Sequence, residues 1–107
     1  MTQLQEMTEK AKQIMVMYQE DYPEVKMDRD YAPFKMTEEW GEALQVYLML
    51  TDRGRQKGKS KTEIRAMLQE EIADVLGYLL VFAAQEQIDL EAAIEQKWFV
   101  HLKRLEK

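Results

Sequence analysis

The sequence predicts an all-α domain, an antiparallel four-helix bundle, and three observations carry that expectation. Apolar residues recur three and four positions apart in four separate stretches of the 107-residue chain. Only four glycines and two prolines punctuate it, which favours long helices joined by few turns. No run alternates apolar and polar residues as a half-buried strand would, and no internal repeat or low-complexity tract competes. The length suits one domain over residues 1–107, large enough for a core and too small for two.

The first helix is expected from Gln3 to about Gln19, with Leu4, Met7, Ala11, Ile14, Met15 and Tyr18 on one face. Asp21 to Ala32, holding Pro23 and running up to Pro33, reads as an extended connection. Pro33 suits the first turn of the second helix, where its missing N–H is no loss. That helix runs to about Leu50. Its main apolar face is Met36, Trp40, Ala43, Leu44 and Tyr47, while Val46, Met49 and Leu50 form a second strip. A polar loop from Thr51 to Lys59 follows, and Arg53, Arg55, Lys57, Lys59 and Lys61 stand at alternate positions in and after it. It reads either as a solvated, mobile loop or as a basic flap, with Asp52 and the flanking glycines letting it move. Ser60-Lys61-Thr62-Glu63 matches a capping box and starts the third helix, which reaches about Gln85. Asp89 suits the N-cap of a fourth helix ending near Leu105. Trp40 and Trp98 occupy apolar helical positions and are expected in the core, and the eight methionines read as adaptable packing.

Composition excludes several functions. A net charge of −5 argues against a nucleic-acid binder that relies on counterion release. Val75 to Ala84, the longest mostly apolar run, is about half of what spans a bilayer, so no membrane partner is expected. The chain has no cysteine, so thiolate metal sites, thiol nucleophiles and disulfides are absent, and a cytoplasmic, reducing location is the natural expectation. Met1 to Glu6 lacks the basic and apolar regions of a signal peptide.

One anomaly points to chemistry. On the third helix Ile64, Met67, Val75, Tyr78 and Phe82 share a face at about 100° per residue, and Glu71 and Asp74 lie in the middle of it. An ionised carboxylate buried without a partner costs several kcal/mol or goes neutral (about 2–7 kcal/mol even for an uncharged polar group). On the second helix Glu39 and Glu42 are also neighbours, three positions apart, and they begin the strip that Val46, Met49 and Leu50 continue. Glu-x-x-Glu on a helix is commonly a solvated face, and that reading covers the 38–42 group taken alone. Apolar residues bracket the 70–74 group, so solvation explains it less well. If the two helices pack antiparallel, four carboxylates meet, and a hard divalent cation supplies the missing charge. An all-oxygen set favours Mg²⁺ or Mn²⁺ over Zn²⁺ or Cu²⁺. A di-iron bundle would need Glu-x-x-His pairs, and the single histidine, His101, stands in none.

Glu38-Glu39-Trp40-Gly41-Glu42 followed by Glu70-Glu71-Ile72-Ala73-Asp74-Val75-Leu76 resembles the EExxE…ExxD signature of MazG-like, all-α nucleotide pyrophosphohydrolases. Gln87 to Lys97 is similar to the segment that opens that family's last helix, and the resemblance runs from about Lys35 to Arg104. It implies a MazG-like NTP pyrophosphohydrolase fold. It also implies a Mg²⁺-dependent enzyme that cuts nucleoside triphosphates between the α- and β-phosphates, yielding a monophosphate and pyrophosphate. Glu39, Glu42, Glu71 and Asp74 would hold the metal, and Glu38 would orient or deprotonate the attacking water. Lys97 and Arg104, seven residues apart in the last helix, would hold the outer phosphates. His101 stands where the family places an asparagine, and an imidazole can also donate to phosphate. The loop between the acidic motifs looks long for the family, and as a flap it would close over the triphosphate. Similar proteins are dimers or tetramers, and a second helix apolar on two sides fits a homodimer or homotetramer. Two rival readings remain: a phosphoribosyl-ATP pyrophosphohydrolase-like enzyme, and a non-catalytic helical interaction module.

Overall fold

Thr2 and Ser60 each start a helix by the same reciprocal device. The Thr2 hydroxyl accepts from the Gln5 amide at 3.1 Å, and the Gln5 side chain accepts from the Thr2 amide at 2.9 Å. Ser60 and Glu63 repeat the exchange at 3.1 Å in both directions. Asp89 starts a third helix more simply, its carboxylate accepting from the Ala92 amide at 3.1 Å. The computed structural model describes residues 1–106. It contains α1 (Gln3–Asp21), α2 (Tyr31–Leu50), α3 (Lys61–Gln85), α4 (Leu90–Lys97) and a 3-10 helix (Phe99–Leu105), with no strand among the described residues.

α3 is the central rod. Tyr31 meets Tyr78 edge-on at 6.2 Å between ring centroids, and Val46 and Met49 cluster with Ile64. The pairings run in opposite senses along the two chains, so α2 lies antiparallel to α3. On the other side Ala11, Ile14 and Tyr18 of α1 line one cavity with Ala73, Gly77 and Val81, and Leu4 lines another with Leu80 and Ala83. α1 is therefore also antiparallel to α3. The result is broad and flat, 49 × 47 × 22 Å, with a radius of gyration of 17.1 Å. A closed domain of about this length would have a radius near ~13 Å.

Four expectations need correction. α2 begins at Tyr31, two residues before Pro33, so the connection shortens to Tyr22–Asp30. The Gln19 side chain pins it, donating to the Val25 carbonyl at 2.8 Å and accepting from the Met27 amide at 3.2 Å. The fourth helix ends at Lys97 rather than near Leu105. Trp98-Phe99-Val100 are weak helix formers, and this unpacked end tightens into i→i+3 bonding, as in the 3.0 Å bond from the His101 amide to the Trp98 carbonyl. Trp40 and Trp98 lie outside the core, 48% and 68% exposed.

The last correction concerns which face of α2 is buried. Its buried stripe is Ala32, Glu39, Ala43, Val46 and Met49, whereas Trp40, Leu44 and Tyr47 of the richer apolar face are exposed. The acidic strip faces α3 and the aromatic one faces outward. No helix among the described residues is long and apolar enough to cross a membrane.

Candidate metal centre

Glu39 occupies a position on the α2 stripe where an alanine or leucine would suffice for packing, yet it is only 8% exposed. The antiparallel register sets it opposite Glu71 and Asp74 of α3. Carboxylate oxygens of Glu39, Glu71 and Asp74 lie within 4.8 Å of one another, and so do those of Glu38, Glu39 and Glu42. Glu39 belongs to both triads and joins them into one group of five acids. The structure thus brings together all five acids that the motif resemblance singled out.

The electrostatics of this group are out of balance. Burial, then the neighbouring Glu42, pushes the Glu39 carboxyl up to about 7, with Glu71 and Asp74 contributing. Burial also raises the Glu71 carboxyl; hydrogen bonding with Glu39 opposes the rise, and the charges of Glu42 and Asp74 add to it. Glu71 Oε2 is buried without any hydrogen-bond partner. Such an orphan is costly unless something else fills its lone pairs, a loss of about 1–3 kcal/mol for an ordinary buried acceptor.

Among the described residues, one cation pairs with these acids. Lys35 Nζ sits 2.9 Å from Glu38 Oε1 and 3.6 Å from Glu39 Oε1. The hydrogen bond to Glu38 holds the Lys35 ammonium firmly protonated, outweighing its partial burial. Tyr31 and Tyr78 close this side of the group, and burial pushes the Tyr78 hydroxyl up to about 12. Sequence reasoning missed Lys35, although its spacing of three and four residues from Glu38 and Glu39 was a readable signal. One ammonium leaves most of the carboxylate charge uncompensated. An all-oxygen donor set with an orphaned buried oxygen could hold a hard cation.

Two cavities border the acids. One of about 220 Å³ lies between α1 and α3, where Ile14, Tyr18 and Gly77 surround it and Asp74 edges it. The other, about 500 Å³, opens beside Glu42 and Glu71 and is walled by Arg55 and Lys57 of the α2–α3 loop. Lys97, His101 and Arg104 line neither cavity. They stand exposed on α4 and the 3-10 helix, which pack mainly against each other. The break at Trp98 also removes the common helical face that would have aligned Lys97 with Arg104. No protein-family model, curated protein or solved structure matches the chain.

Proposed function

We propose that this chain is a Mg²⁺-dependent nucleoside triphosphate pyrophosphohydrolase of the MazG-like type, with Mn²⁺ as a workable substitute. The observation that carries the proposal is the orphaned Glu71 oxygen in a cluster of like charges gathered around the buried Glu39. Stability alone gives no reason to keep such a group, because well-packed apolar residues would serve better. The all-helical architecture is compatible with the antiparallel four-helix bundle of that family, α4 being its fourth helix.

Glu39, Glu42, Glu71 and Asp74 would hold the cation. Once bound, it supplies Lewis acidity and charge neutralisation at the phosphate oxygens. The chain's own residues do the rest. Glu38, exposed at the mouth and steadied by Lys35, accepts the proton of the water that attacks the α-phosphorus. Tyr31 and Tyr78 flank Lys35 and Glu39 on that same side, where less water lowers the local dielectric. The bond between the α-phosphorus and the bridging oxygen breaks, leaving monophosphate and pyrophosphate.

The direct test is the purified protein with Mg²⁺ against each common NTP, each dNTP and phosphoribosyl-ATP, scored for pyrophosphate. Release from at least one nucleoside triphosphate is expected. Release from phosphoribosyl-ATP alone would identify the rival enzyme, and none from any substrate would defeat the proposal.

The same reading includes a homodimer or homotetramer in the cytoplasm. Trp40, Leu44, Tyr47 and Ile72 form an exposed apolar strip across α2 and α3. Contiguous apolar surface of this kind marks contact sites. Light scattering at micromolar concentration is expected to give at least twice the single-chain mass. Trp40→Glu should shift the population toward single chains, and a monodisperse monomer for the unaltered protein would count against self-association.

A further inference from the structure

If the triphosphate is bound at the carboxylates, its two outer phosphates need cations, and the three assigned by motif resemblance line neither bordering cavity. We propose that Arg55 and Lys57 of the α2–α3 loop form the binding subsite for the leaving pyrophosphate. This inference rests on the pyrophosphohydrolase reading above and adds to it the residues and the direction of the bound chain.

Three features of the structure carry it. The first is the cavity itself, about 500 Å³, with Glu42 and Glu71 at one end and Arg55 and Lys57 at the other, over a floor that includes Met49 and Met67. A ligand bridging those ends must present cation-bound anionic groups to the acids and bare anionic groups to the loop. A polyphosphate does both.

The second feature is that the loop is anchored rather than free. Asp52 accepts from the Gln56 side chain at 2.7 Å and from Lys61 Nζ at 2.6 Å, and Lys61 also donates to the Leu50 carbonyl at 2.6 Å. The Arg53 amide donates to the Leu48 carbonyl at 2.8 Å. Asp52 and Gly58 take left-handed backbone angles, φ 63° and 75°, which reverse the chain at both ends of the segment. The expectation that Asp52 lets the loop swing is therefore reversed: Asp52 ties it down.

The third feature is selection among the basic residues. Gln56 turns inward and is half-buried, its amide reaching the Met49 carbonyl at 3.5 Å, while its neighbours Arg55 and Lys57 line the cavity. Lys61 is committed to Asp52, and Arg53 and Lys59 are exposed outside the lining. Two of the five alternating cations are thus presented to the site. An arginine fork and a lysine point charge suit the terminal groups of a polyphosphate.

The placement fixes a direction. With the α-phosphate at the carboxylates, the β- and γ-phosphates extend under the loop, and the α1–α3 recess beside Asp74 is left for the nucleoside. Negative charge grows on the departing pyrophosphate in the transition state, so cations there act on turnover as well as on binding.

The test compares two double variants of equal charge, Arg55→Gln/Lys57→Gln and Arg53→Gln/Lys59→Gln, with the unaltered protein in Mg²⁺. Calorimetric affinity for inorganic triphosphate and inhibition by pyrophosphate and by the nucleoside monophosphate are measured alongside kcat and KM. The first pair is expected to weaken triphosphate and pyrophosphate binding by about tenfold or more and to lower kcat/KM further, with monophosphate inhibition unchanged. The second pair should keep both affinities. Equal losses in the two pairs, or an unchanged triphosphate affinity in the first, would overturn the subsite while leaving the hydrolase reading intact. Should the unaltered protein release no pyrophosphate from any nucleotide, the hydrolase reading falls, and the triphosphate titration still decides whether the loop binds phosphate.

Discussion

Glu71→Gln is expected to abolish pyrophosphate release and, at the same time, to make the metal-free protein more stable. The two effects share one cause. Glu71 Oε2 is buried without a partner, and burial together with the charges of Glu42 and Asp74 raises its carboxyl. A neutral amide of the same shape removes that repulsion, and its N–H₂ can donate to the facing Glu39 carboxylate. The metal-free protein should gain about 1–2 kcal/mol, which for a domain of this size raises the melting temperature by roughly 5 °C or more. Catalysis moves the other way. Removing an outer-shell partner of a metal ligand already costs about 10–100-fold, so losing a ligand charge should cost at least that. Asp74→Asn should lose activity similarly with a smaller stability gain, because Asp74 is exposed. Melting curves in EDTA and pyrophosphate release in Mg²⁺ check both halves. Full activity in both variants would rule out these carboxylates as ligands. Inactivity with a lowered melting temperature would mean that Glu71 holds the fold together instead.

Periodicity, caps and antiparallel register were legible in the sequence because each depends on residues close along the chain. Ser60 and Asp89 cap where their side chains say they should, and the acids of α2 and α3 meet because two helices joined by a short loop fold back on each other. What could not be read depended on which of two plausible faces wins. α2 carries a larger apolar face through Trp40, Leu44 and Tyr47, yet it buries the strip with Glu39, because that strip continues into Val46 and Met49 against Ile64. Hydrophobicity alone ranks those faces the wrong way for an isolated chain. The end of α4 was equally hidden, since apolar spacing persists through Leu105 although the backbone tightens after Trp98. In the loop the alternating charges were visible. Which of them line a cavity depended on Asp52 and Gln56, and their hydrogen bonds have no sequence signature.

Metal-free protein is expected to become more stable on acidification from pH 8 to about pH 5.5, and saturating Mg²⁺ should remove most of that dependence. The direction follows from Glu39, whose carboxyl is pushed up to about 7 by burial and by Glu42. In the unfolded chain it returns to an ordinary value near ~4.3. Between those two values the folded state binds more protons than the unfolded one, so stability falls as pH rises and the penalty is complete above about 7. Acidification relieves it, and below the unfolded value this group contributes no further change. Glu71 shifts in the same direction, so the cluster titrates as a unit. The gain across the window should be on the order of 2–3 kcal/mol. A cation favours the charged carboxylates and stabilises the folded state most at pH 7.5 and above, by about 2.7 kcal/mol at a hundred times its dissociation constant. Melting temperatures at pH 5.5, 6.5, 7.5 and 8, each in EDTA and in Mg²⁺, test this against Glu39→Gln. That variant should flatten the EDTA series. If it keeps the full slope, the dependence belongs to general surface charge; if Mg²⁺ raises the melting temperature equally at every pH, the ion binds elsewhere.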